Sequence, residues 1–84
     1  MEAELISVRV RYFAVLRDRA GVGEEPYETD AVTVRALVEE LIVNRSLGLP
    51  SPLVRAALNG QFAADDDPIT EGDELVLLPP VAGG

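Results

Sequence analysis

Hydrophobic and polar residues alternate along the first part of the chain, from residue 5 to residue 13. One side of the alternation is apolar and consists of Ile6, Val8, Val10 and Tyr12. The other side consists of Ser7, Arg9, Arg11 and Phe13. A period of two predicts a β-strand with one face on a core and the other in water. Phe13 is the exception, because it is a large aromatic side chain on the arginine-bearing face.

The next stretch predicts two weaker elements. Residues 14–20 favour a short helical turn that Gly21 closes, since glycine readily adopts the left-handed conformation at a helix end. Residues 25–29 favour a second strand, but Pro26 within it has no N–H to donate to a neighbour. We therefore expect this strand at an edge of the sheet.

Residues 33–44 are the clearest predicted helix. Apolar residues recur there at i, i+3, i+4, i+7 and i+8 and form one stripe, namely Val34, Leu37, Val38, Leu41 and Ile42. Thr33 is a favourable N-cap, and Arg35 and Glu39 are spaced for an ion pair on the polar side. Gly48 and Pro50 end the region. The apolar stripe needs one face of a sheet to cover it.

Asn59-Gly60 is a strong turn signal and predicts a β-hairpin over residues 54–64. In a two-residue loop Ala57 lies opposite Phe62, and both share a face with Arg55. If Arg55 faces water, Phe62 does too. Residues 65–68 (Asp-Asp-Asp-Pro) invite interpretation as a metal site, but successive carboxylates alternate in direction and no glycine-containing calcium loop follows. A solvated turn is the favoured interpretation.

Residues 74–78 predict a last strand that is apolar on both faces, which suits a central position parallel to the first strand. The predicted fold class is therefore α+β, with a mixed five-stranded sheet packed on one main helix, the ubiquitin-like β-grasp roll, over residues 1–78. Phe13, Phe62 and Leu78 would then project from the sheet face that the helix leaves uncovered. An exposed cluster of this kind marks a partner site, and a second small core beneath a loop is the alternative.

The chain ends in an apolar tail over residues 79–84, Pro-Pro-Val-Ala-Gly-Gly. Pro79 and Pro80 stop the strand and favour an extended polyproline conformation. Val81, Ala82, Gly83 and Gly84 then become progressively smaller, a shape suited to a narrow slot in another protein. Fully extended, the tail reaches roughly 20 Å. Ordinary fraying is the alternative interpretation of the two terminal glycines.

The composition limits the catalytic groups and the partners that the chain can have. The chain has no cysteine and no histidine, which removes the thiolate nucleophile and the commonest general base. The net charge of −8 argues against nucleic acid and for a protein partner with a basic surface, although it also serves solubility. The acidic N-terminus and the lack of a long apolar run predict a cytoplasmic protein without membrane association. The C-terminal carboxylate becomes a leading candidate for a reacting group.

Several segments together resemble a known family. They are residues 12–18 (Tyr-Phe-Ala-Val-Leu-Arg-Asp), Gly21, residues 57–59 (Ala-Leu-Asn), residues 72–74 (Gly-Asp-Glu) and residues 78–84 (Leu-Pro-Pro-Val-Ala-Gly-Gly). They resemble the small subunits of molybdopterin synthase, which are sulfur carriers of the MoaD/ThiS family related to ubiquitin. The resemblance covers residues 8–84.

The resemblance implies a specific role in synthesis of the molybdenum cofactor. An activating enzyme would consume ATP to adenylate the carboxylate of Gly84, and a sulfur donor protein would convert it to a thiocarboxylate; the carrier itself would bind no cofactor and no metal. The carrier would dock on the large synthase subunit through Phe13, Phe62 and Leu78. Its tail would enter that subunit's active site and supply sulfur to cyclic pyranopterin monophosphate.

Three alternatives stay open at this point. The chain could carry sulfur for another product, such as the thiazole of thiamine or cysteine. It could be a ubiquitin-like modifier that is joined through Gly84 to lysines of other proteins, or an interaction module with an inert tail. Catalysis by the chain alone is disfavoured, since no acid–base constellation is visible in the sequence.

Overall fold

The computed structural model describes residues 4–80 of the 84-residue chain. The elements in chain order are strand β1 (Ile6–Tyr12), helix α1 (Val15–Ala20), β2 (Glu24–Thr29), α2 (Val34–Asn44), one 3₁₀ turn (Ser51–Leu53), β3 (Arg55–Leu58), β4 (Gln61–Phe62) and β5 (Glu74–Leu78). The bounds of the five strands and the two α-helices lie within two residues of the ranges that the sequence predicts.

The five strands form one mixed sheet in the order β2-β1-β5-β3-β4. Strand β5 is parallel to β1 and antiparallel to β3, so the central position predicted for it is confirmed. Leu75 and Leu77 of β5 are fully buried beneath the helix. A strand with neighbours on both sides and a helix above it needs the apolar side chains that this segment has.

Pro26 lies in the edge strand β2, as the sequence predicts. The Tyr12 N–H donates to the Gly23 carbonyl at 2.9 Å, which makes that pair a hydrogen-bonded one. Because bonded and non-bonded pairs alternate in an antiparallel ladder, the Arg9–Pro26 pair is a non-bonded one. An N–H at position 26 would point to the free edge of the sheet, so proline there removes no hydrogen bond from the ladder. Proline at the free edge also discourages pairing with another chain.

The Asn59-Gly60 hairpin forms as predicted. Both residues have positive φ, 52° and 90°, as a type I′ turn requires. The turn places Ala57 opposite Phe62. The Asn59 side chain also donates to the Asp73 carboxylate at 3.0 Å and accepts from the Glu74 N–H at 2.9 Å, which ties the hairpin to the start of β5.

Helix α2 packs its apolar stripe on the sheet. Four residues of the stripe are buried and Ile42 is partly buried against the same core. The Thr33 hydroxyl accepts from the Ala36 N–H at 3.2 Å, so the predicted N-cap is confirmed. Val10 and Leu77 on the sheet and Leu37 on the helix are completely buried, and each such side chain stabilises the fold by about 1.5–3 kcal/mol.

Two loop residues complete the core without any signal in the hydrophobic pattern. Leu47 is completely buried after α2, and Ile69 is 7% exposed in the loop that precedes β5. Each is held by its backbone, since the Leu47 N–H donates to the Ile42 carbonyl and the Ile69 N–H to the Val32 carbonyl. A single apolar residue in a loop has no period, so only the folded chain shows that it belongs to the core.

Residues 65–68 form a turn. The Asp67 carboxylate accepts from the Ala64 N–H at 2.9 Å, and Asp65 forms an ion pair with Arg35 at 3.1 Å. Within residues 4–80 no three carboxylate, thiol or imidazole groups are placed to hold a metal ion. The helices in this part of the chain are all too short or too polar to cross a membrane.

Candidate functional site: the open face of the sheet and the root of the tail

The sheet face that α2 leaves uncovered, called the open face here, carries every second residue of the strands. The ladder registers assign to it Arg9 and Arg11 of β1, Glu74, Val76 and Leu78 of β5, Arg55 and Ala57 of β3, and Phe62 of β4. All of these residues are exposed or half-buried, whereas the alternate residues of β5 are fully buried. The open face is thus a surface that the described domain leaves available for contact.

The structure brings two of the three predicted docking residues to one end of the sheet. Phe13 directly follows β1 and Leu78 ends β5, and these two strands are parallel neighbours, so both residues lie at the same end. Phe62 lies across β3, opposite Ala57. Phe62 is 67% exposed, Phe13 is 42% exposed and Leu78 is half-buried. Large apolar side chains with this exposure are typical of partner sites, and their role in docking stays a prediction.

An arginine lies over each phenylalanine ring. The Arg55 guanidinium carbon is 4.8 Å from the ring centroid of Phe62, and that of Arg11 is 5.6 Å from the centroid of Phe13. The cation is attracted to the negative face of the ring by about 0.5–1 kcal/mol at an exposed site. Arg11 also has its Nε 3.6 Å from the carboxylate of Glu24. The sequence predicts the shared face of Arg55 and Phe62, but not this stacking.

The root of the tail, defined as Leu78, Pro79 and Pro80, continues from the end of the central strand. Leu78 lies opposite Arg55 in the ladder, Pro79 is half-buried and Pro80 is exposed. Because neither proline can donate to a neighbouring strand, the ladder ends at this point. The predicted site residues Val81, Ala82, Gly83 and Gly84 lie outside the described residues, so the reach of the tail stays a prediction.

A polar network on the helix side of the sheet was not visible in the sequence. The Tyr12 hydroxyl donates to the Glu25 carboxylate at 2.6 Å, and Arg45 donates to the same carboxylate at 2.7 and 3.0 Å. Hydrogen bonds from Arg45, supported by Tyr12, hold the pKa of Glu25 below its ordinary value although burial opposes them. Burial and the adjacent Glu25 raise the pKa of Tyr12, so its hydroxyl stays a neutral donor.

This network has a structural role. It joins the C-terminal end of α2, where Arg45 is the cap residue, to β1 and β2. Helix and sheet are thereby held together on the side away from the open face. Within residues 4–80 none of its members reaches the open face, so it supports the candidate site without being part of it.

A mixed five-stranded sheet packed on one main helix, with the fifth strand at its centre, defines the ubiquitin-like β-grasp class of proteins. The fold class predicted from the sequence is thereby confirmed, and solved structures of this class superpose on the chain. The chain belongs to the ThiS family, whose family model matches residues 10–84. The resemblance to the MoaD/ThiS family found in the sequence is confirmed as well.

Three known proteins illustrate the similarity. The molybdopterin synthase sulfur carrier subunit of Escherichia coli (strain K12) is 32% identical over 80 residues, which cover 92% of this chain and 99% of that protein. The protein–protein complex of subunits 1 and 2 of the molybdopterin-converting factor from Helicobacter pylori contains a chain that is 29% identical, with a TM-score of 0.63 and coverage of 94% and 100%. A structure of the small archaeal modifier protein 1 of Haloferax volcanii is 26% identical, with a TM-score of 0.76 and coverage of 90% of this chain and 99% of that chain.

Proposed function

We propose that this protein is a sulfur carrier for molybdopterin synthesis that delivers sulfur as a thiocarboxylate on Gly84. The observation that carries the proposal is the similarity to the Escherichia coli sulfur carrier subunit, which extends over nearly the whole of both chains. The family match also continues through residue 84, so it includes the terminal glycines. The exposed apolar side chains beside the root of the tail supply a surface for a protein partner.

The first step activates the tail. A C-terminal carboxylate has a pKa of about 3.5, so it is ionised at neutral pH and is a poor electrophile. In the proposed reaction an activating enzyme lets the carboxylate oxygen of Gly84 attack the α-phosphorus of ATP, and pyrophosphate leaves. A sulfur donor protein then supplies a sulfide equivalent that adds to the acyl carbon and displaces AMP. Glycine at positions 83 and 84 has no side chain to keep the backbone from the catalytic groups.

The second step delivers the sulfur. The Helicobacter pylori complex pairs subunits 1 and 2 of its factor, which supports a large synthase subunit as the partner of this chain. In the proposed complex Phe13, Phe62 and Leu78 contact the large subunit. Residues 79–84 extend into its active site, where the thiocarboxylate sulfur bonds to a carbon of cyclic pyranopterin monophosphate and displaces an oxygen substituent. Water then cleaves the acyl–sulfur bond, which leaves the sulfur on the substrate and returns Gly84 to a carboxylate. In this proposal the activating enzyme consumes ATP, and the carrier itself binds no cofactor. The cytoplasmic location predicted from the sequence is also part of the proposal.

Intact-mass spectrometry tests the central claim. The protein is incubated with its activating enzyme, ATP and a sulfur source, and we expect a mass gain equal to one oxygen exchanged for sulfur. A reaction without ATP is the control and should show no gain. A variant that lacks Gly84 should keep the thermal unfolding curve of the wild type but gain no sulfur. If that truncated variant still supports molybdopterin synthesis, the role of the tail is refuted.

A ubiquitin-like modifier is the second candidate, and the similarity to the small archaeal modifier protein 1 favours it. A modifier would form an amide bond between Gly84 and a lysine of another protein. The chain contains no lysine, so copies of it cannot be joined to one another through lysine side chains. Higher-mass conjugates in a cell extract would therefore consist of this chain joined to lysines of other proteins. Conjugates without any thiocarboxylate would favour this candidate. A thiocarboxylate that a thiazole-forming or cysteine-forming enzyme consumes would favour a carrier for another pathway.

A further inference from the structure

Two arginines of the open face have no part in the proposed apolar contacts. Arg55 lies opposite Leu78 in the β3–β5 ladder, and Arg11 lies opposite Val76 in the β1–β5 ladder. Their guanidinium carbons lie over the rings of Phe62 and Phe13, 4.8 and 5.6 Å from the ring centroids. Each exposed phenylalanine of the candidate docking surface therefore has a cation on its ring.

We infer that Arg55, supported by Arg11, determines the specificity of docking by selecting a partner protein that presents carboxylate side chains beside the pocket for the phenylalanines. The inference rests on the proposed docking of the open face. It adds the chemistry of the partner surface, which neither the fold nor the family similarity specifies.

A partner cannot cover Phe62 without also covering Arg55. With 4.8 Å between the guanidinium carbon and the ring centroid, both groups lose their water when a partner surface closes over either. Removal of an unpaired cation from water is costly, and most of that cost is avoided only when the partner supplies an acceptor. A partner that binds Phe62 in a simple apolar pocket would therefore be penalised.

The contact with the ring leaves hydrogen-bond donors of Arg55 available to a partner. The guanidinium has five N–H donors in its plane, and contact with a single ring does not use the pairing capacity of all five. A carboxylate matches two of these donors at once, which adds orientation as well as attraction. Contact with the ring also restricts the arginine before binding, so less conformational entropy is lost when the pair forms.

Arg55 is less satisfied within residues 4–80 than the arginines that pair closely with carboxylates. Arg45 is bonded to Glu25, and Arg35 to Glu39 and Asp65. Within residues 4–80 no ion pair is made by Arg55, although it shares a groove with Asp65, whose carboxylate is taken by Arg35. Arg11 has a distant carboxylate, since its Nε is 3.6 Å from Glu24. Arg55 should therefore be the stronger determinant of the two.

The sign of this local charge opposes the charge of the whole chain. The net charge of −8 predicts a basic partner, yet the cations at the phenylalanines call for an acidic one at the docking surface. At long range the chain would repel an acidic partner, so selection depends on short-range pairs that form after contact. Pairs that are buried on docking act mainly on the dissociation rate.

Surface plasmon resonance with the immobilised large synthase subunit of the same organism tests the inference. The variants are Arg55→Gln and Arg11→Gln, and the matched control is Val43→Glu, which changes the net charge by the same amount at a 76% exposed position of α2. We expect Arg55→Gln to bind about tenfold more weakly through faster dissociation, and Arg11→Gln about threefold more weakly. Arg55→Lys should restore only part of the affinity, because lysine keeps the charge but lacks the planar fork. Thermal unfolding of each variant shows that it is folded.

The outcomes separate this inference from the proposed function. If the wild type binds and Arg55→Gln binds as well as Val43→Glu does, the inference is overturned while the proposed function stands. If the wild type does not bind the large subunit, the proposed docking fails and the inference fails with it. Sedimentation of the carrier alone tests whether a second copy of the chain covers the open face instead. If the wild type dimerises and Arg55→Gln dissociates the dimer, Arg55 serves self-association and the inference is overturned.

Discussion

Truncation of Phe62 to alanine should separate partner binding from folding. The residue is 67% exposed, so about one third of a side chain that can bury roughly 200 Å² is in contact with the domain. At about 25 cal/mol per Å² this contact stabilises the fold by roughly 1.5 kcal/mol. Loss of the stacking with Arg55 adds about 0.5 kcal/mol. We therefore expect the free energy of unfolding to fall by about 1–2 kcal/mol.

The expected loss of binding is larger. An aromatic anchor that fills a partner pocket costs about 2–4 kcal/mol when it is truncated, which weakens the affinity by roughly 30-fold or more. Titration against the large synthase subunit measures this loss, and urea unfolding monitored by circular dichroism measures the stability. The matched control is Leu77→Ala, since Leu77 is fully buried on the other face of β5. This control should lose about 2–5 kcal/mol of stability, as buried leucines do.

Two results would refute the reasoning. If Phe62→Ala loses as much stability as Leu77→Ala, Phe62 belongs to a core and is not an exposed anchor. If Phe62→Ala keeps the wild-type affinity while the wild type binds well, the open face near β4 is not the docking surface.

Three further predictions concern the scaffold. Glu25→Gln should lower the free energy of unfolding at neutral pH by about 2 kcal/mol, because its charged hydrogen bonds to Arg45 are lost. Since the pKa of Glu25 is lowered in the folded state, its contribution is present above the unfolded pKa and is lost as the pH falls through the folded one; urea unfolding should therefore show the variant and the wild type converging in acid. Thr33→Ala removes the N-cap of α2 and should cost about 1 kcal/mol in the same assay, whereas Thr33→Ser should cost little. Gly60→Ala meets no neighbouring atom, but its φ of 90° is strained for alanine, so the melting temperature should fall by the equivalent of about 1 kcal/mol.

The elements of this fold are predictable from the sequence because their signals are local. The alternation in β1, the stripe of α2 and the Asn59-Gly60 turn each depend on residues a few positions apart, and all three are confirmed. The hairpin register then follows from the turn, which is why the pairing of Ala57 with Phe62 could be predicted.

The remaining features depend on contacts between distant residues. Arg45 and Glu25 lie 20 positions apart, and no local pattern indicates that they meet. Ile69 and Leu47 are single apolar residues in loops, so their burial became visible only in the folded chain. The same applies to the charge of the candidate site, because the composition reports the sum over the chain and not its distribution over a surface.

The sequence by itself determined the order of the strands and helices, the apolar tail and the membership of the ThiS family. Periodicity and turn residues indicate the elements, and a motif of nearby residues indicates the family. Only the tertiary structure decided that β3 is the second neighbour of β5 and which cations lie on the exposed phenylalanines. The physical reason is that packing brings together residues far apart in the chain, and the electrostatic character of a surface depends on that juxtaposition. The chain as a whole is acidic, but each of its exposed phenylalanine rings has an arginine beside it.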